Sequence, residues 1–537
     1  MARLDIRDIL LSPRLAAHEV ASLLGPYGFK DIEKADANLQ EMADEPRSRQ
    51  LLTEILEELL TCLSQSADPD RALNYLERFT KAALNKVNLF SYLKSSPHTL
   101  ELLAKTFAAS PFMAEILIRD PEYLYWVSDP RVLYQEKKRE EIERDISRAL
   151  KSVRSHEKKL DILRAFKRKE ILRIGVCDLL KLSTVEQTVA SLSILAEALI
   201  QKAYQISEES LRRKYGTPFH KNRSGKKIRT GFAVLGMGKL GGEELNFSSD
   251  VDLIYLYATD QGKALRVRSR NRSGSISNAV YFKELAQILT AALSDITNEG
   301  YVYRVDLRLR PEGKSGYIVQ PLNKFMHYYA TRGETWERMA LIKARPVAGD
   351  RALGMKTISM LTPFIYSRAF DLKALAEVRK IKTMIDQKIF SREQTHRNVK
   401  LGFGGIREIE FIVQSLQLHY GRNFPKIRER NTMKVLRSLL KQRFLSEKEF
   451  LHLSEAYLFL RDVENKLQMV YDFQTHSLPS EEEELKECSF RLGYKDKDQD
   501  TATEKFQKDY HRHTSQVNGI FQSIFYASEL SGFMRRD

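Results

Sequence analysis

Three short runs of β-branched and aromatic residues interrupt a chain that otherwise spaces its apolar residues three and four positions apart. This interruption limits the fold more than any other feature. Phe232–Leu235 is a brief apolar run ending in glycines, Val251–Tyr257 is β-branched and aromatic, and Tyr301–Leu309 alternates along most of its length. Runs of this kind form strands. Before them the periodicity is helical: Leu52, Ile55, Leu56 and Leu59 share one face, and similar patterns recur around Leu100–Phe107, Met113–Ile118 and Val185–Ala203. Prolines at 111, 121 and 130 punctuate turns between these helices. A further helix starts near Asn278. Downstream, Ile406, Ile409, Val413, Leu416 and Tyr420 form one seam, and Leu453, Tyr457, Leu460, Leu467 and Tyr471 another. The expected fold is mostly α with a central α+β core. Its expected parts are a helical domain over 1–225, the core over 226–350 and a helical bundle over 351–537.

Composition narrows the class. At 537 residues, 42% hydrophobic and 29% charged, the chain has an ordinary globular balance. No apolar run approaches the ~18 residues of a membrane span. The start, MARLDIRDILLSPRL, has no signal-peptide core. Cys62, Cys177 and Cys488 lie far apart without CxxC spacing, which argues against a disulfide framework or a cysteine zinc site. The chain reads as cytoplasmic. Lys and Arg exceed Asp and Glu by 87 − 71, a charge of +16, which suits an anionic partner. Arg212–Thr230 reads as a basic linker, and the charged stretch Gln135–Glu170 as a solvated helix face.

The chemistry is expected at carboxylates. Asp250 and Asp252 stand two apart at the start of a strand, so their side chains share a face. Paired carboxylates repel unless a cation or proton lies between them. Oxygen-only ligands suit Mg2+, with Mn2+ the alternative. On the third run, Val302, Arg304, Asp306 and Arg308 are expected on one polar face, with Tyr301, Tyr303, Val305, Leu307 and Leu309 on a core face. Asp306 would complete a three-carboxylate site able to clamp a phosphoryl group, with Arg308 and Arg310 placed for phosphate oxygens. Upstream, Gly236-Met237-Gly238-Lys239-Leu240-Gly241-Gly242 would let backbone approach a phosphate. It lacks P-loop order. It satisfies GxGxxG, but the segment before the Asp pair is too short for a Rossmann helix.

These residues carry a resemblance. GMGKLGGEELNFSSDVDLIYLY, YRVDLRLRPEGKSG, WERMALIKARPVAGD, VKLGFGGIREIEFIVQSLQL and FLRDVENKLQMVYDFQTHSLP resemble the glutamine synthetase adenylyltransferase/deadenylase family, from about residue 90 to about residue 500. Members carry two related nucleotidyltransferase halves, and this sequence carries one. ELNFSSD and ETWER are similar to the N-terminal, deadenylylating half. The resemblance implies a DNA polymerase β-like core, and Asp250, Asp252 and Asp306 as metal ligands. It implies that Gly238, Lys239, Gly241, Gly242 and Ser249 cradle nucleotide phosphates while Arg308 and Arg310 neutralise charge. ATP, ADP or phosphate would be substrates, glutamine synthetase the partner, and a PII-type signal protein an effector.

Arg407, Glu410 and Gln414 form a polar stripe open to two readings, an internal ion pair or a substrate-facing surface. His476 reads as structural. Trp336 and Lys343–Pro346 are expected to pack the last element of the core. The resemblance leaves adenylylation of glutamine synthetase from ATP as the alternative direction, and two rival functions stay open. One is nucleotidyl transfer to nucleic acid, with Arg266–Arg272 as a phosphate tracker, although no basic–aromatic cluster supports it. The other is a scaffold that senses nucleotide without catalysis, disfavoured because all three carboxylates are present.

Overall fold

The computed structural model describes residues 5–12, 15–222, 224–265, 275–366, 372–392, 394–497 and 500–526. The Arg266–Arg272 stretch lies outside them. Two compact units each draw on segments distant in sequence. One comprises residues 1–136, 168–188 and 462–509, the other 137–167, 189–461 and 510–537.

The described elements of the first unit are helical. Leu52, Ile55, Leu56 and Leu59 are buried on the inner face of helix Pro46–Ser64. Prolines open several helices because the first turn has no use for their missing N–H. Pro69 and Pro111 each follow a capping side chain, with Asp68 accepting the Arg71 N–H and Ser110 the Met113 N–H. Lys466 is buried between Asp178 and Asp462. His476 Nδ1 lies 2.8 Å from the buried carboxylate of Glu464, which fits a structural role. Tyr471 falls beyond helix Glu447–Gln468 and is exposed, so that seam ends earlier than its spacing implies.

The second unit contains the strands: β1 (Thr217–Lys221), β2 (Lys227–Arg229), β3 (Phe232–Gly236), β4 (Val251–Tyr257), β5 (Lys263–Leu265), β6 (Ile276–Ser277), β7 (Val305–Asp306), β8 (Val319–Pro321) and β9 (Arg345–Gly349). A small antiparallel sheet has the order β2-β1-β5-β6. The larger one runs β7-β4-β3-β9, and β8 also pairs with β4. Strand β3 is antiparallel to β4 and β9, whereas β4 is parallel to β7 and β8. A Rossmann unit needs a parallel strand after its glycines, and the antiparallel β3–β4 pair excludes one. One face of β4 packs on helix Asn278–Ser294: Tyr257 stacks on Phe282 at 4.8 Å between ring centroids, and the Tyr255 hydroxyl lies 3.2 Å from that of Thr290. Phe232 and Tyr204 extend this aromatic core.

Four expectations need correction. The basic stretch Arg212–Thr230 is not a linker: helix Val185–Tyr215 runs into it, and β1 and β2 form a hairpin closed by Asn222, whose side chain accepts the N–H groups of Ser224 and Lys226. The run Tyr301–Leu309 is a strand only at Val305–Asp306. Val302 is buried rather than on a polar face, and Leu307 and Leu309 are only half-buried. The strand stops because the Asp306 carboxylate accepts the Arg308 N–H at 2.8 Å and turns the chain. Nor is Gln135–Glu170 wholly solvated: Arg164, Lys167 and Glu170 are buried. Trp336 lies largely on the surface, donating its indole N–H to Glu334, while Arg345–Gly349 does form a strand of the larger sheet.

Candidate active site

Register brings the carboxylates together. In the parallel β4–β7 pair, Asp252 stands opposite Asp306 and Val251 opposite Val305. Registered partners in adjacent strands project to the same face, and Asp250 shares that face by alternation. The face is opposite to the one that carries Tyr255 and Tyr257 against the helix. Met237 donates its N–H to the Asp252 carbonyl at 2.9 Å, which sets the glycine turn beside the carboxylates. Gly238 has φ +52°, and a Cβ there would lie 2.6 Å from Asp252 Oδ2. Only glycine combines that left-handed backbone with so close an approach.

The three carboxylates differ in what they hold. Asp250 accepts Arg304 Nε–H at 2.7 Å. Asp306 accepts Arg308 Nε–H at 2.7 Å in a forked pair. Burial alone would raise the Asp306 pKa, but hydrogen bonds from Arg308 outweigh it and hold the carboxyl below its usual range. The Asp252 carboxylate has no hydrogen-bonding or ion-pair partner among the described residues. Burial, then the charges of Asp306 and Asp250, push its pKa up to about 6, against an opposing pull from Lys400. A half-buried carboxylate left alone between two like charges is what a cation would relieve.

Among the described residues, no three His, Cys, Asp or Glu side chains already stand in metal-ligand geometry. The donor set still fits a hard divalent cation, since all three side chains offer carboxylate oxygens. Arg304 and Arg308 occupy two of the three carboxylates, so a shared cation requires them to turn away.

Other expected residues divide. Lys239 sits in the short helical turn Gly238–Gly241 beside Asp252. Gly241 and Gly242 spend their N–H groups on the carbonyls of Met237 and Gly238. A Cβ on Gly241 would lie 2.0 Å from the Lys343 carbonyl oxygen, so that glycine serves close packing. The Ser249 hydroxyl accepts the Asn246 N–H and is buried. Arg308 is exposed at the carboxylates. Arg310 instead donates to the carbonyls of Leu307, Gly316 and Lys314, stapling its own loop, and burial lowers its pKa. Arg407 pairs with Glu410 at 3.1 Å, and Glu410 and Gln414 are buried, which realises the internal ion pair. Glu410 is also held by Lys343 at 3.0 Å. Sequence reasoning missed Lys400 and Glu244, and took Lys343 only as a packing residue. Their only signal was a charge standing among apolar residues in otherwise buried segments.

Two family models match separate parts of the chain. Residues 100–360 match the family model for glutamate-ammonia ligase adenylyltransferase, and residues 379–525 match one for the PII-uridylyltransferase GlnD. Three relatives carry the name bifunctional glutamine synthetase adenylyltransferase/adenylyl-removing enzyme. The one from Nitrosococcus oceani is 36% identical over 86% of this chain and 46% of its own length. That from Thioalkalivibrio sulfidiphilus is 37% identical over 80% and 43%, and that from Pseudomonas putida 37% over 75% and 40%. The chain thus spans less than half the length of these curated relatives.

Proposed function

Proceeding from a chain whose residues 100–360 match the family model for glutamate-ammonia ligase adenylyltransferase, we propose that it moves AMP on a tyrosine of glutamine synthetase, in the direction of removal. Phosphate attacks the α-phosphorus of adenylyl-tyrosine. A new P–O bond forms, the bond to the tyrosine oxygen breaks, and the products are ADP and tyrosine, whose oxygen takes up a proton. A phenol with a pKa of about 10 is a tolerable leaving group once its oxygen is stabilised.

The observation that carries this reading is Asp252, a carboxylate without a partner among the described residues, in register with Asp306 and beside the glycine turn. Asp250, Asp252 and Asp306 would hold Mg2+ or Mn2+. Bound there, the cation stabilises charge on the phosphoryl and leaving oxygens. Arg308 would take a phosphate oxygen, and Gly238, Lys239 and Ser249 would border the nucleotide. The segment 226–350 would carry the chemistry. The likeness of ELNFSSD and ETWER to the deadenylylating half supports the direction. The match of residues 379–525 supports a PII-type effector. Among the described residues no helix is long and apolar enough to cross a membrane.

The test uses purified chain with adenylylated glutamine synthetase, phosphate and Mg2+. ADP should appear, and chelation of the metal should stop it. Labelling of unmodified synthetase from ATP without phosphorolysis would reverse the direction. Extension of RNA or DNA would refute the protein acceptor.

A further inference from the structure

Residues that take no part in the chemistry above grip the glycine turn from three sides. A four-residue helical turn leaves its last carbonyls without helical partners. Arg345 donates to the Leu240 carbonyl at 3.0 Å and to that of Gly241 at 3.3 Å. Asn431 donates to the Gly242 carbonyl at 3.2 Å. Two residues on, the buried Glu244 accepts the Lys343 ammonium at 2.7 Å and the Thr432 N–H. The same ammonium reaches Glu410 at 3.0 Å on helix Ile406–Tyr420. The Lys343 carbonyl fills the space where a Gly241 Cβ would sit. Residues 343–345 therefore meet the turn with a backbone carbonyl, an ammonium and a guanidinium.

Burial opposes the Lys343 charge, but Glu244 and Glu410 outweigh it and hold its pKa above the usual lysine value. The ammonium stays charged across physiological pH. The turn's entry is in turn fastened to the carboxylate strand by the Met237–Asp252 hydrogen bond.

On the reading of this site as one of AMP transfer, we propose that Lys343 and Arg345 are positioning residues. Without touching substrate, they hold the turn 238–244 against the strand that carries Asp252. Arg345 is itself fixed by Glu197, which also holds Arg139 at 2.9 Å. The grip is thus preorganised before any ligand arrives.

Lys343→Met alone strands two buried carboxylates and can unfold the unit, so two other variants carry the test. The triple variant Lys343→Met/Glu244→Gln/Glu410→Gln removes the buried charges together. Arg345→Lys keeps a charge but loses the fork that spans two carbonyls. Each is measured for melting temperature, kcat and KM for adenylylated synthetase, and backbone hydrogen exchange in peptide 236–245. The expected result is a near-normal melting temperature, an unchanged KM, a kcat lower by about a hundredfold, and faster exchange confined to that peptide. Wild-type kcat in a stably folded variant, or exchange that rises throughout the chain, would overturn the proposal. If the wild-type chain transfers no AMP in either direction, the transfer reading fails. Localised exchange would then still support the positioning role, and uniform exchange would refute it.

Discussion

Asp252 and Asp306 face each other across a parallel strand pair in which β7 supplies only two residues. So short a strand contributes little to the sheet, yet it fixes one carboxylate beside another. The Arg304 carbonyl accepts the Val251 N–H at 2.9 Å, and the Asp306 side chain turns the chain immediately afterwards. Like charges kept this close cost stability.

Asp252→Asn should therefore separate stability from activity. Removing one charge from a repelling set leaves stability unchanged or slightly higher. AMP transfer should fall about a thousandfold or more, as expected when metal-borne charge stabilisation of several kcal/mol is lost. Urea unfolding together with the phosphorolysis assay checks both halves.

Two glycine substitutions should fail in different ways. Gly238→Ala places a methyl group 2.6 Å from Asp252 Oδ2 on a backbone with φ +52°. It should cost about 1–2 kcal/mol from the left-handed backbone and displace the carboxylate, so activity falls more than stability. Gly241→Ala collides with the Lys343 carbonyl, which cannot rotate away. It should destabilise by about 2 kcal/mol or more. Chemical denaturation with parallel kinetics distinguishes them.

The two neighbouring arginines should also part company. Arg308→Ala leaves Asp306 without its guanidinium and should raise the KM for phosphate while leaving the loop intact. Arg310→Ala frees the three carbonyls it binds, so cleavage within 307–316 should accelerate under limited proteolysis, and Arg310→Lys should restore protection only in part.

The Lys343–Glu410 pair predicts a shape for acid unfolding. Burial raises the Glu410 pKa, but Lys343 and then Arg407 outweigh it and depress it well below its ordinary 4.5. A depressed carboxylate contributes fully above its unfolded pKa and loses that contribution as pH falls toward the folded one. Stability should be flat with respect to this group above about pH 4.5 and fall below it. Glu410→Gln should lower the plateau and flatten the acid limb, as read from denaturant midpoints across pH.

The sequence made some of this legible and hid the rest for identifiable reasons. Strands β3 and β4 appear where apolar and β-branched runs place them, because both are buried and their composition records it. The seam Ile406–Tyr420 is likewise a buried helix face. Tyr301–Leu309 misleads because alternation is a property of side chains, whereas the strand ends through a side chain bonding its own backbone at Asp306. The β1–β2 hairpin was hidden by lysines and arginines, which at an exposed sheet edge guard against unwanted pairing. Of the candidate site, the three acidic positions could be read from spacing alone. Arg310 was expected at phosphate oxygens, and spacing gave no sign that its guanidinium bonds carbonyls of its own loop instead. Lys343 was expected only to pack the core, and its buried ion pairs stayed hidden because Glu244 and Glu410 lie far away in sequence.

The contact between Gly241 and the Lys343 carbonyl has a practical bearing on protein engineering. Main chain lies against main chain there, so no choice of side chain can substitute for the neighbour. Residues 236–244 transplanted alone onto another scaffold would arrive with an empty wall behind them. A working graft must bring residues 343–349, which include strand β9, as well, and the two segments behave as a single exchangeable cassette despite the hundred or so residues between them.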